Sequence, residues 1–296
     1  MKFYFLPLLL LIVMHACTEK GQDNRYQEEI EQWHQNRIAS LTRPDGWTTL
    51  IGLHWLNEGS QTFGSAEQND LVFPEKAPSF IGKLTLDADS VILELNDTVT
   101  ININGTPGQK SLRLRADTES QTTYMNSGSL SWYLIHRGGK FGIRIKDSLS
   151  EQRLTLKSIP HYPIDENWRI KARLIPAYEG ATIDIENILG QVSDNPLAGI
   201  LEFAFQGKNY QISALDGGPD AYFLIIADET TGEETYGGGR YLYVDRADST
   251  GMTYIDFNKA YNPPCVFSEF ATCPLPPEEN YLPFSITAGE KELPHH

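Results

Sequence analysis

Through most of this chain apolar and polar residues alternate with period two, and turn residues interrupt the alternation at short intervals. Asn104-Gly105, Arg137-Gly138-Gly139, Gln206-Gly207, Asp216-Gly217-Gly218 and Thr231-Gly232 each sit between two such runs. Pairs of this kind supply the positive φ that joins neighbouring antiparallel strands. The pattern predicts strands at 70–73, 82–86, 91–95, 99–103, 112–115, 129–137, 141–146, 152–156, 170–175, 181–187, 199–205, 208–214, 222–227, 239–244 and 253–256. Within Phe141–Lys146 the apolar residues 141, 143 and 145 take one face, leaving Arg144 and Lys146 to point out. Strands do not alternate with helices, which excludes a parallel α/β sheet. The expected fold is all-β, an antiparallel β-sandwich or barrel-like single domain or a pair of β subdomains, with one N-terminal amphipathic helix.

That helix is written into Arg25–Ser40, where Tyr26, Ile30, Trp33 and Leu41 recur at helical spacing and Glu28, Glu29, Glu31 and Gln32 take the other face. The Arg43-Pro44-Asp45-Gly46 turn ends it, because proline bars its predecessor from helix. The apolar run Trp47–Leu56 suits a buried strand or a helical turn. The expected organisation is a helix over 25–41 and a β-rich domain over 42–296, whose C-terminal part carries a Pro- and Cys-bearing motif at 228–290.

Ahead of the helix, Lys2 precedes a run from Phe3 to Met14 that is apolar apart from Pro7. It falls short of the roughly 20 residues a helix needs to span a bilayer, so residues 1–16 read as a signal peptide. Val13-Met14-His15-Ala16-Cys17 resembles a bacterial lipobox, with His15 where a small residue is usual. The resemblance implies acylation of Cys17, a polar tether through residue 24 and sorting to the outer membrane, facing periplasm or cell surface. The other reading is a plain secretory signal that leaves Cys17 in the mature chain. A lipid bilayer met through the acyl anchor is thus the first expected partner.

Once Cys17 is set aside, Cys265 and Cys273 remain, an even pair in an oxidising compartment. A local disulfide across a proline-rich loop outranks a metal pair, since neither a CxxC spacing nor a nearby histidine supports a metal. With 39 acidic against 24 basic residues the net charge is −15. No basic surplus exists to displace counterions, so a nucleic-acid partner is excluded.

The chemistry-bearing residues concentrate between Asp228 and Glu290. Arg240 follows three glycines and offers its guanidinium to an anion, or to Glu233 or Glu234 in an ordinary turn. Asp256, Asn258 and Asn262 offer one carboxylate and two amides to a polar ligand, or cap their own turn. Tyr236 joins Arg240, Asn258 and Asn262 as a candidate ligand-binding residue for a small-molecule or carbohydrate ligand; the aromatic content suits carbohydrate stacking but also a plain sandwich core, which is the default reading. An enzyme reading uses Asp256 or Glu290 as the carboxylate and His54 as proton carrier, with or without a metal's help; His54 otherwise reads as a core histidine. No motif with metal-ligand, nucleophile-elbow or nucleotide-cradle spacing is present, and no cofactor is implied.

Two family resemblances bear on these readings. Phe63-Gly64-Ser65, Asn69–Pro74, Val91–Leu93 and Ile103-Asn104-Gly105 are similar to the strand order of forkhead-associated phosphopeptide readers. At that family's phosphate-binding positions this chain has Ser65 and Ala77-Pro78-Ser79-Phe80, without arginine or histidine, so phosphopeptide binding does not carry over. A second resemblance rests on Gly52–Leu56, Phe63–Ser65, Gly142–Ser148, Pro163–Arg169, Glu234–Arg240 and the block from Asp256 to Glu290. Together they resemble the bacterial family called domain of unknown function 1684 over nearly the whole mature chain. This implies no activity and marks the C-terminal block as the family's hallmark. The expected function is an outer-membrane-anchored lipoprotein that binds a small polar or anionic ligand or a partner through that block, the alternative being a periplasmic hydrolase.

Overall fold

A computed structural model describes residues 18–293, with side chains from Asn24 onward. The signal peptide expected over 1–16 and the lipidation expected at Cys17 lie outside the described residues. Nineteen strands build three sheets, and nearly all ladders are antiparallel. The two exceptions are short parallel pairings: Leu71–Val72 beside Gly59–Gly64, and Tyr281–Leu282 beside Ala221–Asp228.

The first two sheets share one core. A five-stranded sheet centred on Gly82–Asp87 and Ser90–Leu95 faces a six-stranded sheet centred on Leu130–Arg137 and Lys140–Asp147. Alternation decides what meets between them: Phe63, Leu84 and Leu93 from one side, Trp132, Leu134, Ile143 and Ile145 from the other, all essentially inaccessible. Sheets with one apolar face each must bury those faces against each other. The third sheet has eight strands, Val192–Phe205 and Lys208–Asp216 at its heart, and a second core of Leu201, Ile212, Leu224, Leu242, Ile255 and Phe257. A smaller cluster, Leu50, Ile185, Leu215, Ile225, Tyr241, Ala271 and Cys273, joins the first strand of the chain to the third sheet and the C-terminal loops.

The helix α1 runs Thr18–Leu41, beginning earlier than the Arg25–Ser40 periodicity. Its docked face reads Tyr26, Ile30, Trp33, His34, Arg37, Ile38 and Leu41, an unbroken run of three- and four-residue steps. A charged residue, Arg37, lies within that face.

Two local expectations are corrected, and one reading left open between strand and helical turn is decided. Residues 152–156 are not a strand: Glu151–Thr155 forms a short helix, α2, whose N-cap Ser150 accepts the Arg153 N–H. The mixed sequence Gln-Arg-Leu-Thr-Leu mimics alternation, and the serine cap decides the matter. The apolar run from Trp47 opens with a 3-10 turn, Trp47–Thr49, and only then becomes the strand Leu50–Trp55. Arg144 does not point to solvent. It is 2 % exposed, because the outer face of its sheet is covered by Trp47 and by Thr272 of the C-terminal loop. The strands Gly59–Gly64 and Tyr124–Ser127 escaped the pattern altogether, as neither alternates cleanly.

Candidate functional site

The C-terminal block folds back along α1, and the polar residues singled out from sequence separate into three buried clamps and one open groove.

The first clamp is at the N-terminal half of α1. The Tyr26 hydroxyl donates to Asp256 Oδ1 at 2.8 Å and accepts from Asn258 Nδ2 at 2.9 Å. Asp256 also caps its own 3-10 turn by accepting the Asn258 N–H. Asn258 reaches further, donating to the Asp165 carbonyl at 2.8 Å and accepting the Asp165 N–H at 3.1 Å. Burial and the Asp256 carboxylate hold the Tyr26 hydroxyl far above its ordinary pKa, so it stays a donor.

The second clamp lies eleven residues along the helix, roughly 16 Å at 1.5 Å per residue. Arg37 Nε donates to Glu290 Oε1 at 3.3 Å, and Nη2 to the Asn262 carbonyl at 2.8 Å. Its guanidinium lies 4.4 Å from the Tyr261 ring centroid. The other Glu290 oxygen accepts the Asn262 N–H at 2.7 Å, and Asn262 Nδ2 donates to the Lys291 carbonyl at 2.8 Å. Glu290 is inaccessible, and burial raises its carboxyl pKa against the opposing pull of Arg37. Beside this clamp His34 of α1 stacks on His161, with centroids 4.1 Å apart. Burial, helped by the His161 charge, drops the His34 pKa to about 4.

Arg240 makes the third clamp. It is inaccessible, as is its partner Asp228, with 2.8 Å between Nη2 and Oδ2. The guanidinium also donates to the carbonyls of Ala288 (2.5 Å), Ile286 (3.1 Å) and Glu290 (3.4 Å). The glycines before it are explained by space. Gly239 has φ +78°, and a Cβ there would meet the Ile226 carbonyl oxygen at 2.5 Å. A Cβ on Gly238 would strike the Tyr236 ring at 2.5 Å. Thus Arg240, Asp256, Asn258, Asn262 and Glu290 are divided among three clamps, and most of their polar atoms are committed to the chain itself; Arg240 Nε and Asn262 Oδ1 are buried without a hydrogen-bond partner.

The catalytic candidates are not assembled. Asp256 sits in the first clamp and Glu290 in the second. His54 lies half-buried on Leu50–Trp55 with its ring 5.8 Å from that of Phe73, and burial lowers its pKa. Neither carboxylate is a hydrogen-bond partner of His54. Among the described residues no group of three or more His, Cys, Asp or Glu is placed to hold a metal ion.

Among the described residues, Tyr236 lines an open cavity. A groove of about 650 Å³ runs between α2 and the C-terminal loop, lined by Gln152, Leu156, Ser158, Tyr236, Val266 and Leu293, among others. Its far wall includes Cys265, joined to Cys273 by the expected disulfide. Sequence reasoning missed Tyr26, Arg37, Asp165 and Asp228, which complete the clamps. Arg37 alone had a legible signal, a charge set into the apolar stripe of α1.

The polar block, with Asp165 and Asp228, falls in one continuous segment that comparison also singles out, whereas its α1 partners Tyr26 and Arg37 lie outside that segment. Residues 155–291 match the family model of DUF1684, a protein of unknown function. The matched segment holds three of the sequence features that suggested the family, 163–169, 234–240 and 256–290, whereas 52–56, 63–65 and 142–148 precede it. No curated protein matches the chain. Among solved structures, one similar chain is the uncharacterized protein from gene locus rrnAC0354 of Haloarcula marismortui, determined by solution NMR. It is 28% identical, with a TM-score of 0.41 over 49% of this chain and 82% of that one. The FHA domain of FhaA, complexed with the intracellular domain of Rv3910, is 14% identical with a TM-score of 0.22, over 31% of this chain and 96% of that one.

Proposed function

We propose that this protein is an outer-membrane lipoprotein, anchored through Cys17, that binds a small polar, hydroxyl-bearing ligand in the groove beside Tyr236. The observation that carries the reading is the contrast within the C-terminal block. Six of its polar residues are held in buried clamps, while Tyr236 presents a half-exposed ring to a cavity of ligand size. The lining supports a neutral amphipathic ligand such as a sugar. Leu156, Pro160, Val266 and Leu293 give apolar patches, Gln152, Thr155, Ser158 and Tyr236 give uncharged hydrogen-bonding groups, Lys157 and Glu292 bring one charge of each sign, and an aromatic ring suits a sugar's C–H face. Rigid walls favour binding because little order must be gained on association. Most of the lining lies within the matched segment 155–291, while Gln152 of α2 precedes it and Glu292 and Leu293 follow it.

Saturation-transfer NMR of the protein with a panel of neutral mono- and oligosaccharides tests this. At least one member should bind, and Tyr236→Ala should weaken that binding at least tenfold with the melting midpoint little changed. If no neutral ligand binds, or if the variant binds as the parent does, the groove is not the site.

A further inference from the structure

Arg144 presents a problem that Arg240 does not. Both guanidiniums are buried, at 2 % and 0 % exposure. Arg240 faces a carboxylate and three carbonyls. Arg144 is joined by only two long contacts to neutral hydroxyls, Nη1 to Tyr133 at 3.5 Å and Nη2 to Thr272 at 3.3 Å. Its Nε is buried without a partner, as is that of Arg240, so the difference between the two lies in the missing carboxylate and carbonyls. No carboxylate lies within ion-pairing distance of it among the described residues, although the chain has 39 of them. A buried cation in that condition is costly unless something compensates it.

A second cation aggravates the cost. Lys146 follows two residues along the same strand, and the ladder sets Tyr133 across from Arg144. The two cations flank one indole, with the Arg144 guanidinium 5.3 Å and the Lys146 amine 5.6 Å from the Trp47 ring centroid. The amine is also 5.8 Å from the Tyr133 ring. These aromatic faces offset part of the charge. Asp45 offers Lys146 its backbone carbonyl as a hydrogen-bond acceptor and pairs its carboxylate with Arg43, so its charge offsets only part of the Lys146 cost. Burial and the Arg144 charge accordingly push the Lys146 amine below its ordinary pKa.

We infer that Arg144 and Lys146, framed by Trp47, Tyr133 and Thr272, form a binding site for a small oxyanion, a phosphate or a carboxylate group. Such an anion satisfies the idle Nε–H, accepts from the two hydroxyls and relieves the repulsion between the cations. The site lies under the disulfide-closed loop 265–273, so an occupant also ties that loop to the first strand pair. It stands apart from the Tyr236 groove and takes a ligand of opposite character, and neither reading depends on the other.

The test uses the full chain and two probes, inorganic phosphate and acetate, titrated calorimetrically at constant ionic strength against chloride. At least one should bind saturably at one site per chain. Arg144→Met should abolish that binding while the protein stays folded, since apolar replacement of a poorly compensated buried cation is tolerated. Lys146→Met and Thr272→Val should each weaken it by several-fold, and they serve alone if Arg144→Met fails to fold. Binding of phosphate only or of acetate only supports the proposal and identifies the group. Absence of saturable binding by both probes overturns it, as does binding unchanged in Arg144→Met or, should that variant not fold, in both of the others.

Discussion

Replacing Arg240 by alanine separates a structural clamp from a ligand contact. The substitution strips Asp228 of its only cation and leaves the carboxylate in a site with no solvent access. Asp228 Oδ1 keeps three donors, the Thr230 N–H and hydroxyl and the Ile286 N–H, but Oδ2 loses its partner. The carbonyls of Ile286 and Ala288 lose donors at the same time. Removing one partner of a buried ion pair costs about 3–5 kcal/mol. Each buried carbonyl left bare adds roughly 1–3 kcal/mol, not additively. A loss near 5 kcal/mol is expected, a large share of a typical domain's stability. Urea denaturation with an unchanged m-value measures it. Hydrogen exchange should accelerate first at Ile286 and Glu290, whose segment the guanidinium holds. The companion Asp228→Asn/Arg240→Met should recover at least half the loss, because no lone charge remains buried. A cost below about 1 kcal/mol for Arg240→Ala, or exchange at 286–290 like that of the parent, would refute the clamp.

Three further outcomes are expected. His34 is held neutral in the fold, with a pKa of about 4 against an ordinary 6.5, so the unfolded chain takes up a proton first as pH falls. Stability should therefore fall between pH 6.5 and 4 by up to about 3 kcal/mol from this group, and His34→Phe should flatten that slope in a pH series of denaturation curves. Reduction of Cys265–Cys273 should cost roughly 2.5 kcal/mol on chain-entropy grounds, and thiol titration of the unfolded, unreduced protein should find neither cysteine free. Cys17→Ala should move the protein from the membrane fraction to the soluble periplasmic fraction; unchanged partitioning removes lipidation from the picture.

Local chemistry alone determined much of this molecule. Alternation and turn dipeptides gave an all-β chain, and the stripe Tyr26–Ile30–Trp33 gave α1. Two cysteines eight positions apart gave the disulfide, and the polar density of 228–290 gave the region in which α1 is anchored. These features rest on neighbours within a few residues, which is the range over which periodicity and turn geometry act. Partner choice was beyond that range. Tyr26 meets Asp256 across 230 positions, and Arg37 meets Glu290 across 253. A carboxylate or an amide is written identically whether it faces a ligand or locks a helix, and only the packed chain decides which lone pairs are already taken. Arg144 shows the same limit in reverse: alternation placed it outward, and the arrival of Trp47 and Thr272 over that face turned an exposed position into a buried charge.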